Sequence, residues 1–272
     1  MMLNFGPFPV SAIVVLVALV LAWLVTRVLA RSLKNVPGRN ASGLILDALF
    51  VGLLAARLGY IAQWWREYSA HPWSMIAIGD GGFSPWIGII AALLFVGWRS
   101  RRMASIRLPV LAGVAAVVAV WFGLNAVLDS MRQSSPTLPS VALTTLDARP
   151  ITLNAYAGKP VVLNLWASWC SHCRRREMPV FEQAQDQFPG IAIVMVNQGE
   201  SAQVAQAYLT REGLKLNHVL LDPNSETMRA AKSRGLPTTL FFDAEGRWVD
   251  SHMGELTSAR LKDMITQRFG IR

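Results

Sequence analysis

Four apolar stretches, at about residues 9–26, 44–65, 83–98 and 108–128, crowd into the first half of this 272-residue chain. Each reaches or approaches the roughly 20 residues that a bilayer crossing requires. Such runs restrict the first half to helices whose backbone groups are satisfied within each segment. The charge distribution fits that restriction. Of the net charge of +9, +7 falls on residues 1–135, in the connections between the apolar runs. Arg27, Arg31, Lys34 and Arg39 follow the first run, and Arg99, Arg101, Arg102 and Arg107 follow the third. The second connection (Arg66, Glu67, His71, Asp80) is nearly neutral. The positive-inside rule then places the first and third connections in the cytoplasm and both termini outside. Trp64, Trp65, Trp73 and Trp86 surround the outer connection as an aromatic belt would. No basic residue precedes the first run, which is the wrong order for a cleavable signal peptide. A nucleic-acid partner would need a basic face with interleaved aromatics on the second half, and that pattern is missing.

Residues 131–140 (MRQSSPTLPS) are polar and Ser/Pro-rich, the composition of a semi-extended linker. From Val141 onward, short β-rich runs alternate with helical ones. Residues 161–166 and 191–197 read as buried strands, and 173–188 and 201–212 as helices. Residues 238–243 and 247–253 flank Ala244-Glu245-Gly246 as a hairpin, and a polar-faced helix over 257–269 follows. This order predicts a mixed sheet flanked by helices.

Both cysteines of the chain lie in Trp169-Cys170-Ser171-His172-Cys173, directly after the first buried strand. A thiolate at the tip of the following helix feels its exposed amides and positive end, which lowers its pKa and makes it a usable nucleophile. The expected chemistry is therefore thiol–disulfide exchange, with no cofactor and no metal. A purely structural staple over so short a loop would contribute only about 2 kcal/mol. Zinc needs four ligands, and with no second cysteine pair His172 and His218 would have to assist. Covalent haem attachment wants His where Arg174 stands. Peroxide reduction is disfavoured because Ala167 stands where that chemistry places Thr.

The second half resembles the TlpA-type thioredoxin-like proteins, membrane-anchored thiol–disulfide oxidoreductases of bacterial envelopes. The resemblance rests on Gly158-Lys159-Pro160-Val161-Val162-Leu163-Asn164-Leu165-Trp166-Ala167-Ser168-Trp169-Cys170, on Cys173-Arg174 with Glu177-Met178-Pro179, on Gly235-Leu236-Pro237-Thr238-Thr239, and on Phe242-Asp243-Ala244-Glu245-Gly246-Arg247. It implies that Cys170 attacks, Cys173 resolves, and Pro237 is a cis-proline facing them. It also implies tuning of the site by Trp169, His172, Asn164 and Leu236. The backbone before a cis Pro237 would pair with an extended substrate chain. Asn164 occupies the place where thioredoxins proper bury an Asp, so deprotonation of Cys173 must use water or another group. Glu177 is expected on an exposed helix face, and His218 and His252 as structural histidines. His172 between the cysteines resembles the spacer of oxidising DsbA-type proteins, and Arg174, Arg175 and Arg176 either add to that field or form a solvated face. Ser171 in place of Pro and the overall scaffold favour a reductase of envelope-protein disulfides, with a dithiol oxidase as the alternative. Since no third cysteine exists, re-reduction requires a separate membrane donor, a DsbD-type transporter by family analogy.

A second resemblance covers about residues 44–102. Ala56-Arg57-Leu58-Gly59-Tyr60 followed by Asp80-Gly81-Gly82-Phe83-Ser84 is similar to the front portion of prolipoprotein diacylglyceryl transferases. Trp86 replaces the His of that pattern, and the later arginine- and glutamate-containing motifs are absent, so this half is expected to lack transferase activity. Arg57 falls inside an apolar run, where an ionisable group is a functional candidate by default. It is expected to contact lipid, a partner or Asp80, or to snorkel to the surface; a lipid-binding or docking module is the third functional reading. The expected organisation is a four-span α-helical membrane domain over residues 1–130, a linker over 131–140, and an α/β thioredoxin-like domain over 141–272 in the periplasm.

Overall fold

The computed structural model describes residues 38–101 and 137–271 except 172 and 174–176, together with residues 4–5, 8–9, 20–21, 23–28, 112–113, 119 and 123. Most of the first and fourth expected spans and of the expected linker lies outside the described residues. The chain divides into two compact units. One comprises Leu3–Arg66 and Gly82–Gln133, and the other comprises Ser134–Arg272 together with Glu67–Gly81.

In the first unit, a two-stranded ribbon (β1, Asn4–Phe5; β2, Phe8–Pro9) precedes α1 (Gly38–Gln63). A short helix α2 (Trp65–Ala70) crosses from one unit to the other, and α3 (Pro85–Ser100) returns to the first. Within α1, residues 43–63 are long and apolar enough to cross a bilayer, and α3 is a shorter apolar helix. The two pack closely because glycines face each other. A Cβ on Gly88 would fall 2.8 Å from the Gly52 carbonyl oxygen, too close for the backbones to stay in place, and one on Gly52 would fall 3.1 Å from the Gly88 carbonyl oxygen.

The second unit is built on a seven-stranded mixed sheet. Its strands are β3 (Ala142–Thr145), β4 (Pro150–Thr152), β5 (Val161–Trp166), β6 (Ala192–Gln198), β7 (Val219–Asp222), β8 (Thr238–Phe242) and β9 (Trp248–Met253). They lie in the order β4-β3-β7-β6-β5-β8-β9, with β5, β6 and β7 parallel and the remaining pairings antiparallel. The central strands are apolar on both faces, as strands covered on both sides must be. Their period of two separates two cores. Val162, Trp166, Ile193, Met195, Val219, Leu221 and Phe241 face α4 (Met178–Gln187), α5 (Ala202–Glu212) and α7 (Ser258–Phe269). Val161, Leu163, Leu165, Val194, Val196, Leu240 and Phe242 face the opposite way, where Leu153, Tyr156 and Ala231, the last just after α6 (Glu226–Ala230), complete the second core.

The helices start and stop where their sequences say. Ser201 and Thr257 cap α5 and α7, accepting the Val204 and Arg260 amides, and Gly213 and Gly270 end them in left-handed conformation. The strands and helices anticipated from periodicity are present within one or two residues at most ends. The exception is the helix expected over 173–188, whose regular α portion begins only at Met178. Thr137 bridges Arg247 and Leu138 is buried, so the last residues of the expected linker already belong to this unit.

The Phe181 ring is fully buried on α4 between sheet and helices. Phe181→Ala is expected to cost about 3–5 kcal/mol, whereas Val204→Ala on the exposed face of α5 stays within about 0.5 kcal/mol. Denaturant midpoints of the full chain in detergent, followed by tryptophan fluorescence, check both.

Candidate active site at the end of the central strand

Strand β5 ends at Trp166, and its parallel neighbour β6 carries Asn197 in register with it. Glu200, just past β6, gathers the chain that leaves β5. Its carboxylate accepts the Ser168 N–H (2.8 Å), the Ser168 hydroxyl and the Asn197 side-chain amide (2.6 Å). The Cys170 N–H then donates to the Ala167 carbonyl (3.2 Å), closing a turn that leaves Trp169 67% exposed. Cys170 and Cys173 are joined in a disulfide with Cα atoms 5.4 Å apart. Cys170 is 6% exposed and Cys173 fully buried, so attack from outside reaches Cys170 first. The Cys173 N–H donates to Cys170 Sγ at 3.3 Å, the helix-tip amide contact that stabilises a thiolate. His172 and Arg174, Arg175 and Arg176 lie outside the described residues.

Cys173 and Glu177 both occupy π-helical turns ahead of α4. Widened turns of this kind occur mostly at functional sites. The expectation of an exposed Glu177 is corrected here: the residue is 1% exposed. Four residues beyond Cys173, it lies on the helical face that packs against the sheet. Its Oε1 accepts the Leu256 N–H (3.3 Å), and the Asn164 amide also hydrogen-bonds the carboxyl. Burial, reinforced by the charge of Glu255, holds its pKa well above the ordinary value and outweighs both hydrogen bonds.

Asn164 alternates with Val162 and Trp166, so its side chain emerges on the face that carries the cysteines. Its Nδ2 also donates to Thr239 Oγ1 on the paired strand β8 (3.0 Å). Because Leu165 is in register with Thr238, the residues entering β8 meet those leaving β5 at one end of the sheet. The Leu236–Pro237 bond there is cis, Pro237 is buried, and Leu236 packs against the core cluster that includes both cysteines. The Pro237 carbonyl accepts the Gly254 N–H (2.9 Å). The sheet thus brings Cys170, Cys173, Asn164, Leu236 and Pro237 to one end.

Glu177 and Glu200 are the residues that sequence reasoning missed. For Glu177 a signal existed, namely its i,i+4 spacing from the buried cysteine. For Glu200 none did, since its partners depend on the register of β5 and β6.

The histidines are structural in their contacts. His218 is half-buried edge-on to Tyr156 (5.1 Å between ring centroids), and burial together with Lys159 lowers its pKa. Burial lowers His252 to about 4, with the positive charge of Arg260 adding to the effect. Among the described residues, no group of three or more His, Cys, Asp or Glu side chains is placed to hold a metal ion.

In the first unit, Arg57 donates from Nη1 to the Gly82 carbonyl (2.7 Å) and lies over the Phe83 ring. A Cβ on Gly82 would fall 2.8 Å from that nitrogen and 2.5 Å from the Tyr60 ring. In the second unit, Asp80 is 2% exposed, and its Oδ2 accepts the hydroxyls of Tyr68 (2.9 Å) and Thr257 (3.0 Å).

A redox-active cysteine pair at the end of the central strand of such a sheet defines a thioredoxin-like domain. Residues 136–249 match the AhpC/TSA family, and residues 1–126 match the prolipoprotein diacylglyceryl transferase family. The second match extends beyond the residues 44–102 that the motifs single out. The thiol–disulfide oxidoreductase ResA of Bacillus subtilis is 30% identical over 167 residues, which span 58% of this chain and 92% of that protein. ResA of Halalkalibacterium halodurans is 28% identical over 168 residues, 61% of this chain and 94% of that one. The solved structure of StoA from Bacillus subtilis is 25% identical, with a TM-score of 0.41, and covers 47% of this chain and 98% of its own. The chain belongs to the ResA family of thiol–disulfide oxidoreductases, and it carries that enzyme domain fused to a membrane region of the diacylglyceryl transferase type.

The raised pKa of Glu177 gives stability a signed pH dependence. The unfolded carboxyl loses its proton near 4.5, while the folded one retains it to higher pH. This contribution is therefore full below 4.5 and is lost as pH rises through the folded value. Glu177→Gln should remove it, so that the gap in denaturant midpoint between variant and wild type widens in the variant's favour as pH rises above 4.5. An unchanged gap between pH 5 and 9 would show that the carboxyl is ionised throughout.

Proposed function

We propose that the protein is a membrane-tethered reductase of disulfides in extracytoplasmic proteins, with Cys170 as nucleophile and Cys173 as resolving thiol. The observation that carries this reading is Cys170, the more exposed sulfur of the pair, contacted by the Cys173 amide, with a buried acid on the face of Cys173. The Cys170 thiolate attacks one sulfur of a substrate disulfide, forming a mixed disulfide and expelling the other sulfur as thiolate. Cys173, on losing its proton, attacks Cys170 Sγ, so that the Cys170–Cys173 disulfide forms and the second substrate thiol leaves. The substrate gains two electrons and two protons, and the dithiol supplies the electrons. Glu177 is the group that exchanges the Cys173 proton, since Asn164 cannot accept one. Leu236, Pro237 and Trp169 line the place where a substrate chain approaches, and His172 tunes the thiolate from within the spacer.

Residues 1–130 serve as a four-span membrane domain, residues 131–140 as the connection, and residues 141–272 as the periplasmic domain. The support is the apolar character of α1 and α3, the basic connections on one side, and the match to a membrane transferase. Re-reduction calls for a dithiol donor in the membrane, of the DsbD type by analogy. The contacts of Arg57 with Gly82 and Phe83 support a role in holding its own loop rather than a lipid headgroup.

A Cys173→Ala variant in cells should accumulate mixed disulfides through Cys170, and Cys170→Ala should accumulate none. Equilibration of the wild-type pair with glutathione should give a potential nearer about −270 than about −120 mV. The more oxidising value would reverse the direction to dithiol oxidation. A Cys170 that resists alkylation at neutral pH in the reduced protein would end the reading altogether.

A further inference from the structure

The segment Glu67–Gly81 lies in sequence between the apolar helices α1 and α3, yet it folds as part of the α/β unit. Two attachments hold it on α7. Glu67 pairs with Lys262 at 3.1 Å, both side chains being mostly buried. Deeper in, Tyr68 is fully buried, and its hydroxyl shares Asp80 Oδ2 with the hydroxyl of Thr257. Buried polar groups are tolerated only when paired, so this cluster fixes Thr257 as well as the segment.

Thr257 closes a turn, residues 254–257, that reaches the dithiol site twice. At its start, the Gly254 N–H donates to the Pro237 carbonyl (2.9 Å), with Gly254 at φ 112°, a conformation that suits glycine. Next to its end, the Leu256 N–H donates to Glu177 Oε1 (3.3 Å). We propose that Asp80 is a positioning residue of the dithiol site: by holding Thr257 it sets the turn that places one N–H on Glu177 and another on the Pro237 carbonyl. The inference rests on the exchange reading given above. Asp80 faces Tyr68, Thr257 and, at longer range, His252, which itself faces Arg260 and Asp250; Glu177 faces Asn164, the Leu256 N–H and Glu255. A residue of the transferase-like Asp-Gly-Gly motif thereby serves the redox site.

The test uses the full chain in lipid nanodiscs, reduced and then mixed with oxidised glutathione, with exchange rates measured from pH 5 to 9. Asp80→Ala and Thr257→Val should each slow exchange about three- to tenfold at neutral pH, the worth of one hydrogen bond to the site. Each should also move the pH profile upward, because Glu177 loses the amide that favours its ionised form. The double variant should be no slower than the slower single one, since both act through one contact. Thr257→Ser, which keeps the hydroxyl, should restore the wild-type profile, and Lys262→Gln, which breaks only the outer ion pair, should leave it in place. If Asp80→Ala does not fold, Asp80→Asn, which weakens the shared acceptor without emptying its place, decides instead, because Thr257→Val also removes the cap of α7. Profiles superimposing on wild type, or effects that multiply in the double variant, would overturn the proposal. Failure of the wild-type protein to exchange would instead strike the reading of the dithiol itself.

Discussion

Strand β5 is hydrogen-bonded along its length to β6 on one side and to β8 on the other, and all six of its residues are buried. A strand so committed can present chemistry only at its ends. The chain leaves it at Ala167 with no freedom of direction, because Glu200, rooted after β6, takes both donors of Ser168. The same register brings the entry of β8 alongside. The cysteines with the buried acid four residues on, and the cis peptide more than sixty residues later, therefore meet at one place. Paired on both edges and covered on both faces, β5 fixes where that meeting occurs.

What could be read from the sequence divides along this line. The strands were legible because continuous β-branched runs leave little choice of environment, and the Cys-x-x-Cys pair was legible because its proximity is local. The burial of Glu177 had only its i,i+4 spacing from Cys173 to announce it, and composition argued the other way. A charged residue after three arginines has the composition of a solvated helix face, and only the π-helical turns and the Leu256 amide turn it inward. The short strands β3 and β4 are defined by pairing with β7 and with each other rather than by pattern. Asp80 was visible as a motif residue, yet its partner Thr257 lies 177 positions away, a distance that no local rule spans.

The motifs shared with diacylglyceryl transferases are used here for packing. Arg57 is expensive in an apolar helix unless its charge is matched, and the Gly82 carbonyl and the Phe83 ring provide oxygen and π density at close range. That arrangement needs Gly82 to have no side chain, since a Cβ would collide with both Arg57 and Tyr60. The arginine and the second glycine of Asp-Gly-Gly thus explain one another sterically.

Proton balance sets the remaining constraint on the exchange site. Closing the Cys170–Cys173 disulfide releases protons, and the buried sulfur of Cys173 has no direct route to water for its own. A carboxyl with an ordinary pKa would be ionised already and would hold a charge in the core. A carboxyl whose pKa is raised by burial holds its proton where an ordinary carboxyl has lost it, which suits an acid–base group there. Its two hydrogen bonds, from Asn164 and Leu256, pull in the opposite direction and keep the ionised form within reach. In the proposed mechanism, with Asn164 standing where thioredoxins bury an Asp, the protonic role falls to Glu177 on the helix. Once on the helix, that role depends on what holds Leu256 in place.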